Sequence, residues 1–214
     1  MKLRHTILLI VLLPVLSIAQ HNSAGIKMGR FTPSSTEGGF IIGYEGSRFV
    51  DRNLAIGWSI DWFHKKYVDQ SLVQQFNNYY GVSSGEINEL RAQTNLHSIP
   101  LMLSITANVP MFPRISAYLT GAFGGEVLLI FYKEFQNPDE GAFESAFDFS
   151  WRAGVGALYE IGNRSDLFFE LDYHSSKPSW TYEVSDPETQ EKQTYERVFD
   201  MSGVMGRFGV RFYW

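Results

Sequence analysis

A histidine and a serine in the last quarter of the chain have residue types and a spacing that could support hydrolysis. His174 and Ser176 are two positions apart, so in an extended strand their side chains lie on the same face. A carboxylate, Glu188, follows within the acidic segment 183–191. A serine activated by a histidine, which a carboxylate orients in turn, is the arrangement of a nucleophilic hydrolase. The alternative interpretation is a polar strand end that enters a loop, because the spacing puts Glu188 in a loop rather than on a strand.

The residue inventory argues against several other kinds of chemistry. The chain has no cysteine, and its histidines are scattered rather than grouped with carboxylates at the spacing of metal ligands. Its formal net charge is −5, and no basic stripe is present that could neutralise phosphates of a nucleic acid. We therefore expect no metal, no cofactor, no nucleic-acid partner, and a fold that forms without disulfides.

The elements that would position these residues are strands, because apolar residues recur at every second position along much of the chain. The third candidate strand is the clearest, since apolar and small or polar residues alternate without a break from Leu54 to Trp62. The candidate strands cover residues 25–31, 39–47, 54–62, 98–109, 115–131, 146–160, 167–174 and 202–214. Eight is an even number, as bacterial outer-membrane barrels require.

The connections between these strands alternate between short and long. Segments 48–52, 110–114 and 161–165 are short and carry turn formers such as Pro113 and Gly162. Segments 64–94, 134–144 and 175–201 are much longer, and 32–38 occupies the same place in the alternation. The pattern predicts an all-β, eight-stranded, antiparallel up-and-down transmembrane β-barrel with short periplasmic turns and longer extracellular loops.

The aromatic residues decide which face of the strands points outward. The interior of an eight-stranded barrel is only just wide enough for side chains, so we expect the bulky row to face lipid and the row rich in Gly and Ser to face the lumen. The lipid-facing and interfacial aromatics are predicted to be Trp58, Trp62, Phe147, Phe149, Trp151, Tyr173 and Trp214, with Tyr44, Tyr159 and Tyr213 in the interfacial belts. The alternative is a soluble lipocalin-like binding barrel, whose apolar face points inward.

Charged residues of both signs are expected in the lumen. Buried charges require partners, so these residues predict a plug of ion pairs, and the alternative is a narrow conduit for ions in a transporter. The expected lumen charges are Lys27, Arg30, Glu45, Asp61, Asp148, Arg152, Glu160, Glu170, Asp172, Arg207 and Arg211.

Both ends of the chain fit export to an outer membrane. Residues 1–19 read as a signal peptide, with a basic start, an apolar run from Ile7 to Leu13, and small residues before Gln20. Residues 20–214 then form the barrel domain. The last strand alternates up to Trp214, which is typical of a closing barrel strand. We expect the bilayer with its lipopolysaccharide as surroundings, and the outer-membrane assembly machinery as a partner of this C-terminal strand.

Several stretches resemble a known family. Leu96–Leu103, Ile115–Gly125, Phe147–Gly156 and Leu167–Tyr173 resemble the outer-membrane β-barrel domain family of Bacteroidetes-type bacteria, the PorT-like group. The resemblance implies an outer-membrane location and eight strands, and most members of the group lack an assigned activity. Separately, the pattern of His174, Ser176 and the later Glu188 is similar to outer-membrane lipid A deacylases, which implies acyl-chain hydrolysis as an alternative function.

The outer loops carry the remaining specificity. Residues 66–93 show apolar residues at helical spacing and predict either a small lid over the barrel mouth or a recognition surface for a protein or glycan. Residues 175–201 are highly charged and predict a β-extension into solvent. The function expected from the sequence is therefore a non-enzymatic barrel scaffold that binds a partner or surface ligand through these loops.

Overall fold

The structure, a computed structural model, describes residues 22–68, 93–133, 141–185 and 192–214. These residues form ten strands joined by turns and loops. In chain order they are β1 (Asn22–Pro33), β2 (Gly39–Phe49), β3 (Leu54–Val68), β4 (Gln93–Phe112), β5 (Ile115–Lys133), β6 (Gly141–Gly162), β7 (Ser165–Ser175), β8 (Ser179–Ser185), β9 (Lys192–Val198) and β10 (Gly203–Tyr213). No helix in the described ranges is long and apolar enough to cross a bilayer.

The strands follow the alternation of the sequence. In β7, for example, Phe168 and Glu170 are buried, whereas Leu167, Phe169 and Leu171 between and beside them are exposed. Side chains of successive strand residues point to opposite faces, and in this protein the buried face is the one that carries the charges.

Eight of the strands close into a barrel. Antiparallel pairing runs from β5 through β4, β3, β2, β1, β10 and β7 to β6, and β5 also pairs with β6. The first and last strands, β1 and β10, pair with each other, and beyond this pairing the backbone N–H of Asn22 donates to the carbonyl of Trp214 and that of Trp214 donates to Asn22, both at 3.1 Å. The predicted eight-stranded antiparallel barrel is confirmed.

The two remaining strands form a hairpin outside the barrel wall. β8 pairs with β9 from Ser179 to Ser185, and only Ser179 pairs with the barrel, opposite Phe147 of β6. This hairpin lies within the charged segment 175–201, for which the sequence predicted a β-extension. It lies at the barrel end where β1, β3, β5 and β7 finish, which is the end with the longer connections.

The strands extend further toward that end than the sequence pattern indicated. β3 continues to Val68 and β4 begins at Gln93, so residues 66–68 and 93 belong to strands and not to a helical lid. The rest of that predicted segment, 69–92, lies outside the described residues. At the opposite end, turns 50–53, 113–114 and 163–164 are short, and Arg114 adopts a positive φ of 68°.

Glycines on the inner face leave room for larger neighbours. A Cβ on Gly156 would stand 2.2 Å from the ring of Tyr118, and one on Gly43 would stand 1.9 Å from a carboxylate oxygen of Asp61. An interior this narrow holds an aromatic ring and a carboxylate at these levels only because the facing positions lack side chains.

The outer wall is apolar. Leu103, Val155 and Phe208, on three different strands, each expose more than half of their surface. The predicted aromatics Trp58, Trp62, Phe147, Phe149, Trp151, Tyr173 and Trp214 are all exposed on this wall. Because the aromatic row faces outward, the alternative of a soluble binding barrel with an aromatic interior is wrong.

Candidate functional site within the barrel

Arg207 of β10 is the centre of the barrel interior. Its guanidinium donates to Asp61 of β3 at 2.9 Å and to Asp172 of β7 at 2.8 Å, and it also donates to Glu170 of β7. All four side chains are buried. Charge-assisted hydrogen bonds of this kind are the strong ones, and here they join three strands of the wall through one cation.

Further ion pairs connect this centre to β6 on one side and to β1 and β2 on the other. Arg152 of β6 lies 2.8 Å from Asp61. Lys27 of β1 lies 3.0 Å from Glu45 of β2 and 3.5 Å from Glu170. Glu45 also accepts two hydrogen bonds from Arg211, the shorter at 2.7 Å. The network, which we call the central charge network, consists of Lys27, Glu45, Asp61, Arg152, Glu170, Asp172, Arg207 and Arg211.

The central charge network is balanced and leaves little space. It contains as many basic side chains as carboxylates, so each buried charge faces an opposite one. The cavity beside it, lined in part by Ser59, Ser104 and Thr106, has a volume of about 20 Å³. A water molecule needs roughly 10–15 Å³ on this measure, so the cavity admits one or two waters and no solute.

An apolar layer covers the network toward the longer loops. Phe31, Phe63 and Leu128 point inward from the wall, and Phe199 and Met201 enter from the segment that follows β9. Phe31 and Phe63 meet edge to face, with ring centroids 5.1 Å apart. We call this layer the mouth plug; its buried members are Phe31, Ile41, Phe63, Leu96, Leu128, Ile130, Ala146, Phe199, Met201 and Met205.

Hydrogen bonds hold the segment that contributes Phe199 and Met201. The backbone N–H of Ser202 donates to Asp200 at 3.0 Å, and the N–H of Met201 donates to the carbonyl of Ser176 at 3.0 Å. Burial acts to raise the pKa of Asp200, but the hydrogen bonds from Ser202 and the charge of Lys177 outweigh it, so this pKa lies below its ordinary value. Asp200 is therefore ionised at neutral pH and keeps accepting from Ser202.

A second, smaller apolar cluster lies inside the barrel toward the short turns. Tyr118, Leu158 and Phe168 form a buried cluster there. The Tyr118 hydroxyl donates to Glu170 at 3.2 Å, and the guanidinium of Arg211 lies 5.1 Å from the ring centre of Phe168. The interior therefore has apolar material at both ends and charges between them.

The structure places the candidate catalytic residues in separate contacts. His174 is buried and its Nε2 lies 2.7 Å from Glu126, which also accepts a hydrogen bond from Ser98 at 2.6 Å. The carboxylate thus stands between the serine and the histidine, so no described serine is bonded to a histidine base. Ser176 contacts Asp148 instead, at 3.5 Å, and Glu188 lies outside the described residues. A serine nucleophile needs direct contact with its base, and this arrangement does not supply it.

Some predicted lumen charges lie elsewhere. Arg30 points outward, because residues 27 and 30 differ in parity and Lys27 is the inward one. Asp148 lies near the mouth, where it accepts from the backbone N–H of Lys177 at 2.6 Å and takes no part in the central charge network. Glu160 is exposed at the end with the short turns. Tyr213, predicted for an interfacial belt, is on the inward row and donates to Asp166.

Glu126 was not among the predicted lumen residues, although it is completely buried. It lies in β5, where Leu128, Leu129 and Ile130 obscure the alternation of apolar and polar residues. The signal that identifies it is its register, since Glu126 pairs with Pro100 of β4 and Asp148 of β6, both on the inward row. In the described part of the chain, no three His, Asp or Glu side chains are grouped as a metal site.

The fold has counterparts among solved structures. The barrel is similar to a major outer membrane protein of Thermus thermophilus (TM-score 0.62, 12% identity, covering 91% of this chain and 99% of that one). It is also similar to the outer membrane protein OprG of Pseudomonas aeruginosa (0.60, 10%, 92% and 96%) and to Neisserial surface protein A (0.54, 10%, 90% and 95%). No protein-family model and no curated protein matches the sequence. At these identities the likeness establishes a shared fold.

Proposed function

We propose that this protein is an integral outer-membrane β-barrel that serves as a sealed scaffold and presents a binding surface at its longer loops. The observation that carries the proposal is the distribution of polarity. Arg207 and Asp61 are buried to about 1% exposure or less, whereas Leu103 and Phe149 expose 55% and 60% of their surface. A bilayer stabilises such an apolar wall, and water does not. Neighbours in the fold that are named as outer membrane proteins support the same location.

The interior favours a scaffold over a transporter. A conducting pore needs a continuous water path, and here the central charge network is covered toward the loops by the mouth plug and is packed toward the short turns against the buried cluster of Tyr118, Leu158 and Phe168. The charges are also mutually neutralised, which leaves no single-sign ring to select an ion. We therefore assign the charges to holding the walls together.

The contacts of His174 and Ser176 support a non-enzymatic role. Glu126 separates His174 from Ser98, and His174 and Ser176 have different polar partners. Both side chains are also on the inward row and buried, away from the outer wall where an acyl chain would lie. The narrower placement in the PorT-like group is supported by the sequence stretches that resemble it, among them Ile99–Leu101 and Ala153–Gly156.

The binding surface is proposed at the loop end because structure is added there beyond what the barrel needs. The hairpin β8–β9 pairs with the wall at only one position, so most of its backbone and its edge lie outside the barrel. Glu196 and Val198 of β9 are exposed. An edge strand with exposed side chains is a ready surface for another chain.

Tryptophan fluorescence in lipid vesicles tests the membrane assignment. Trp58, Trp62 and Trp151 face outward, so vesicles made with brominated acyl chains are expected to quench the emission of the refolded protein strongly. A refolded protein whose emission is unaffected by brominated chains would refute the location.

Site-specific photo-crosslinking in living cells tests the binding surface. A crosslinking side chain at Glu196 is expected to yield a discrete protein or glycan adduct, whereas the same group at Val155 on the outer wall should yield only lipid adducts. If both positions give the same lipid adducts and nothing else, the loop end has no partner and the scaffold is purely structural.

A further inference from the structure

A row of basic and aromatic side chains encircles part of the outer wall near the longer loops. Arg30 of β1 pairs with Phe40 of β2, Phe40 pairs with His64 of β3, and His64 pairs with His97 of β4. All four side chains point outward. We call this set the rim row. Neighbouring strands lie about 4.8 Å apart, so its three steps extend over about 14 Å of the barrel circumference.

The rim row marks a sharp boundary on the wall. The outward positions one pleat closer to the barrel centre on the same four strands are all apolar; they are Met28, Ile42, Trp62 and Ile99. Lys66 stands on the outward face one pleat further toward the loops. On β1, β3 and β4 the outward residue changes from apolar to Arg or His over a single pleat, which is the change expected where hydrocarbon gives way to headgroups.

A hydrogen bond from Trp62 determines the tautomer of His97 in this row. The indole N–H of Trp62 donates to Nδ1 of His97 at 3.2 Å, so Nδ1 acts as an acceptor and the remaining nitrogen, Nε2, carries the proton. The ring of His64 lies 4.5 Å from that of His97, and Nδ1 of His64 has no hydrogen-bond partner within the described residues. The pair therefore presents the Nε2–H donor of His97 beside Nδ1 of His64, which has no hydrogen-bond partner among the described residues.

No carboxylate in the described part of the chain occupies the outward face of this region. Glu37, in the loop between β1 and β2, pairs with Lys65 at 3.2 Å. Arg30 has no ion pair among the described residues and is exposed. Arg30 and, one pleat further toward the loops, Lys66 carry the positive charge of this region, and His97 adds a neutral N–H donor, so together they are complementary to an anion.

We propose that the rim row binds the phosphorylated headgroup of an outer-leaflet lipid, of the lipid A type, with Arg30 and His97 as donors to separate parts of that headgroup and the Trp62 ring beneath it. The inference rests on the proposed function, because longer loops mark the outer side of such barrels and place the rim row at the headgroups of the outer leaflet. The apolar residues one pleat below would contact the acyl chains of the same molecule. This wall site is separate from the loop surface proposed above.

Native mass spectrometry of the refolded protein in detergent micelles tests this proposal. The protein is titrated with phosphorylated lipid A and with the same lipid after chemical removal of its phosphates. Wild type is expected to bind the phosphorylated form roughly tenfold more tightly. The variant R30Q/H64Q/H97Q is expected to lose this preference, and R164Q, which removes an exposed charge from turn 163–164 at the opposite end, should keep it.

Three results would overturn the proposal: equal affinity of wild type for both lipids, an unchanged preference in the triple variant, or complete displacement of the lipid by millimolar inorganic phosphate. The single variant R30Q, expected to lose part of the preference, replaces the triple variant if that does not refold. Each variant is first checked for a heat-modifiable band on gels. A wild-type protein without that band would refute the membrane barrel itself, whereas a folded barrel without phosphate preference would refute only the rim row.

Discussion

The guanidinium of Arg207 donates a 2.9 Å hydrogen bond to the carboxylate of Asp61 across the interior of the barrel. The two residues lie on β10 and β3, and strands β1 and β2 stand between them in the wall. Backbone pairing joins only adjacent strands, so this bond adds a connection that the sheet cannot make. Asp172 and Glu170 of β7 extend the connection to the other side of β10.

Replacing Arg207 by methionine is expected to destabilise the barrel severely. The change leaves three buried carboxylates without their shared cation, and removing one partner of a buried ion pair typically costs about 3–5 kcal/mol. The free energy of unfolding is measured by urea titration of the folded gel band in micelles. Arg164→Met, on an exposed turn, is the matched control and should change stability by less than about 0.5 kcal/mol. Equal stability of the two variants would show that the network does not hold the walls together.

A methyl group at Gly156 is expected to displace Tyr118. The added Cβ would stand 2.2 Å from the Tyr118 ring, and overpacking of this kind costs about 1–3 kcal/mol. At Gly121 a Cβ meets nothing within 4 Å, so Gly121→Ala is the control in the same barrel. Urea titration of both variants gives the comparison, and a Gly156→Ala variant as stable as Gly121→Ala would contradict the packing described for this layer.

The reconstituted protein is expected to give no stepwise current across a planar bilayer. The cavity beside the central charge network, of about 20 Å³, is too small for a hydrated ion. The double variant F199S/M201S weakens the mouth plug but leaves the central charge network intact, so it too should remain closed. Regular current steps from wild type would favour the transporter, and steps from the double variant alone would show that the plug, and not the charges, seals the bore.

Replacing Leu103 by arginine is expected to impair insertion of the protein into a bilayer. Leu103 exposes 55% of its surface midway along the outer wall, and arginine at the midplane of a membrane barrel costs about 2–4 kcal/mol. Leu103→Ala is the control for loss of the leucine side chain. In a protein surrounded by water, the same arginine would be tolerated at an exposed position. Insertion is measured as the folded fraction after dilution from urea into vesicles.

The fold was predictable because the sequence alternates strictly between apolar and small or polar residues wherever a strand has one face toward lipid and the other toward the charged interior. The stretch from Leu54 to Trp62 is an example. The central residues Asp61, Glu170 and Arg207 follow from parity alone.

Parity does not, however, give the level of a residue along the barrel, so it groups Asp148 with the central charge network although Asp148 lies at the mouth. Glu126 was missed because its strand is apolar on both faces near residues 127–130. Phe199 and Met201 enter the interior from outside any barrel strand, and no periodicity reports on such residues.

Fractionation of the expressing cells, followed by gels of boiled and unboiled outer membranes, is the decisive test of the membrane barrel. We expect the protein in the outer-membrane fraction with a band that shifts on heating, because a closed barrel resists detergent until heat unfolds it. A protein recovered from the soluble periplasmic fraction, with one band at both temperatures, would contradict the membrane barrel and with it every role proposed for the outer wall.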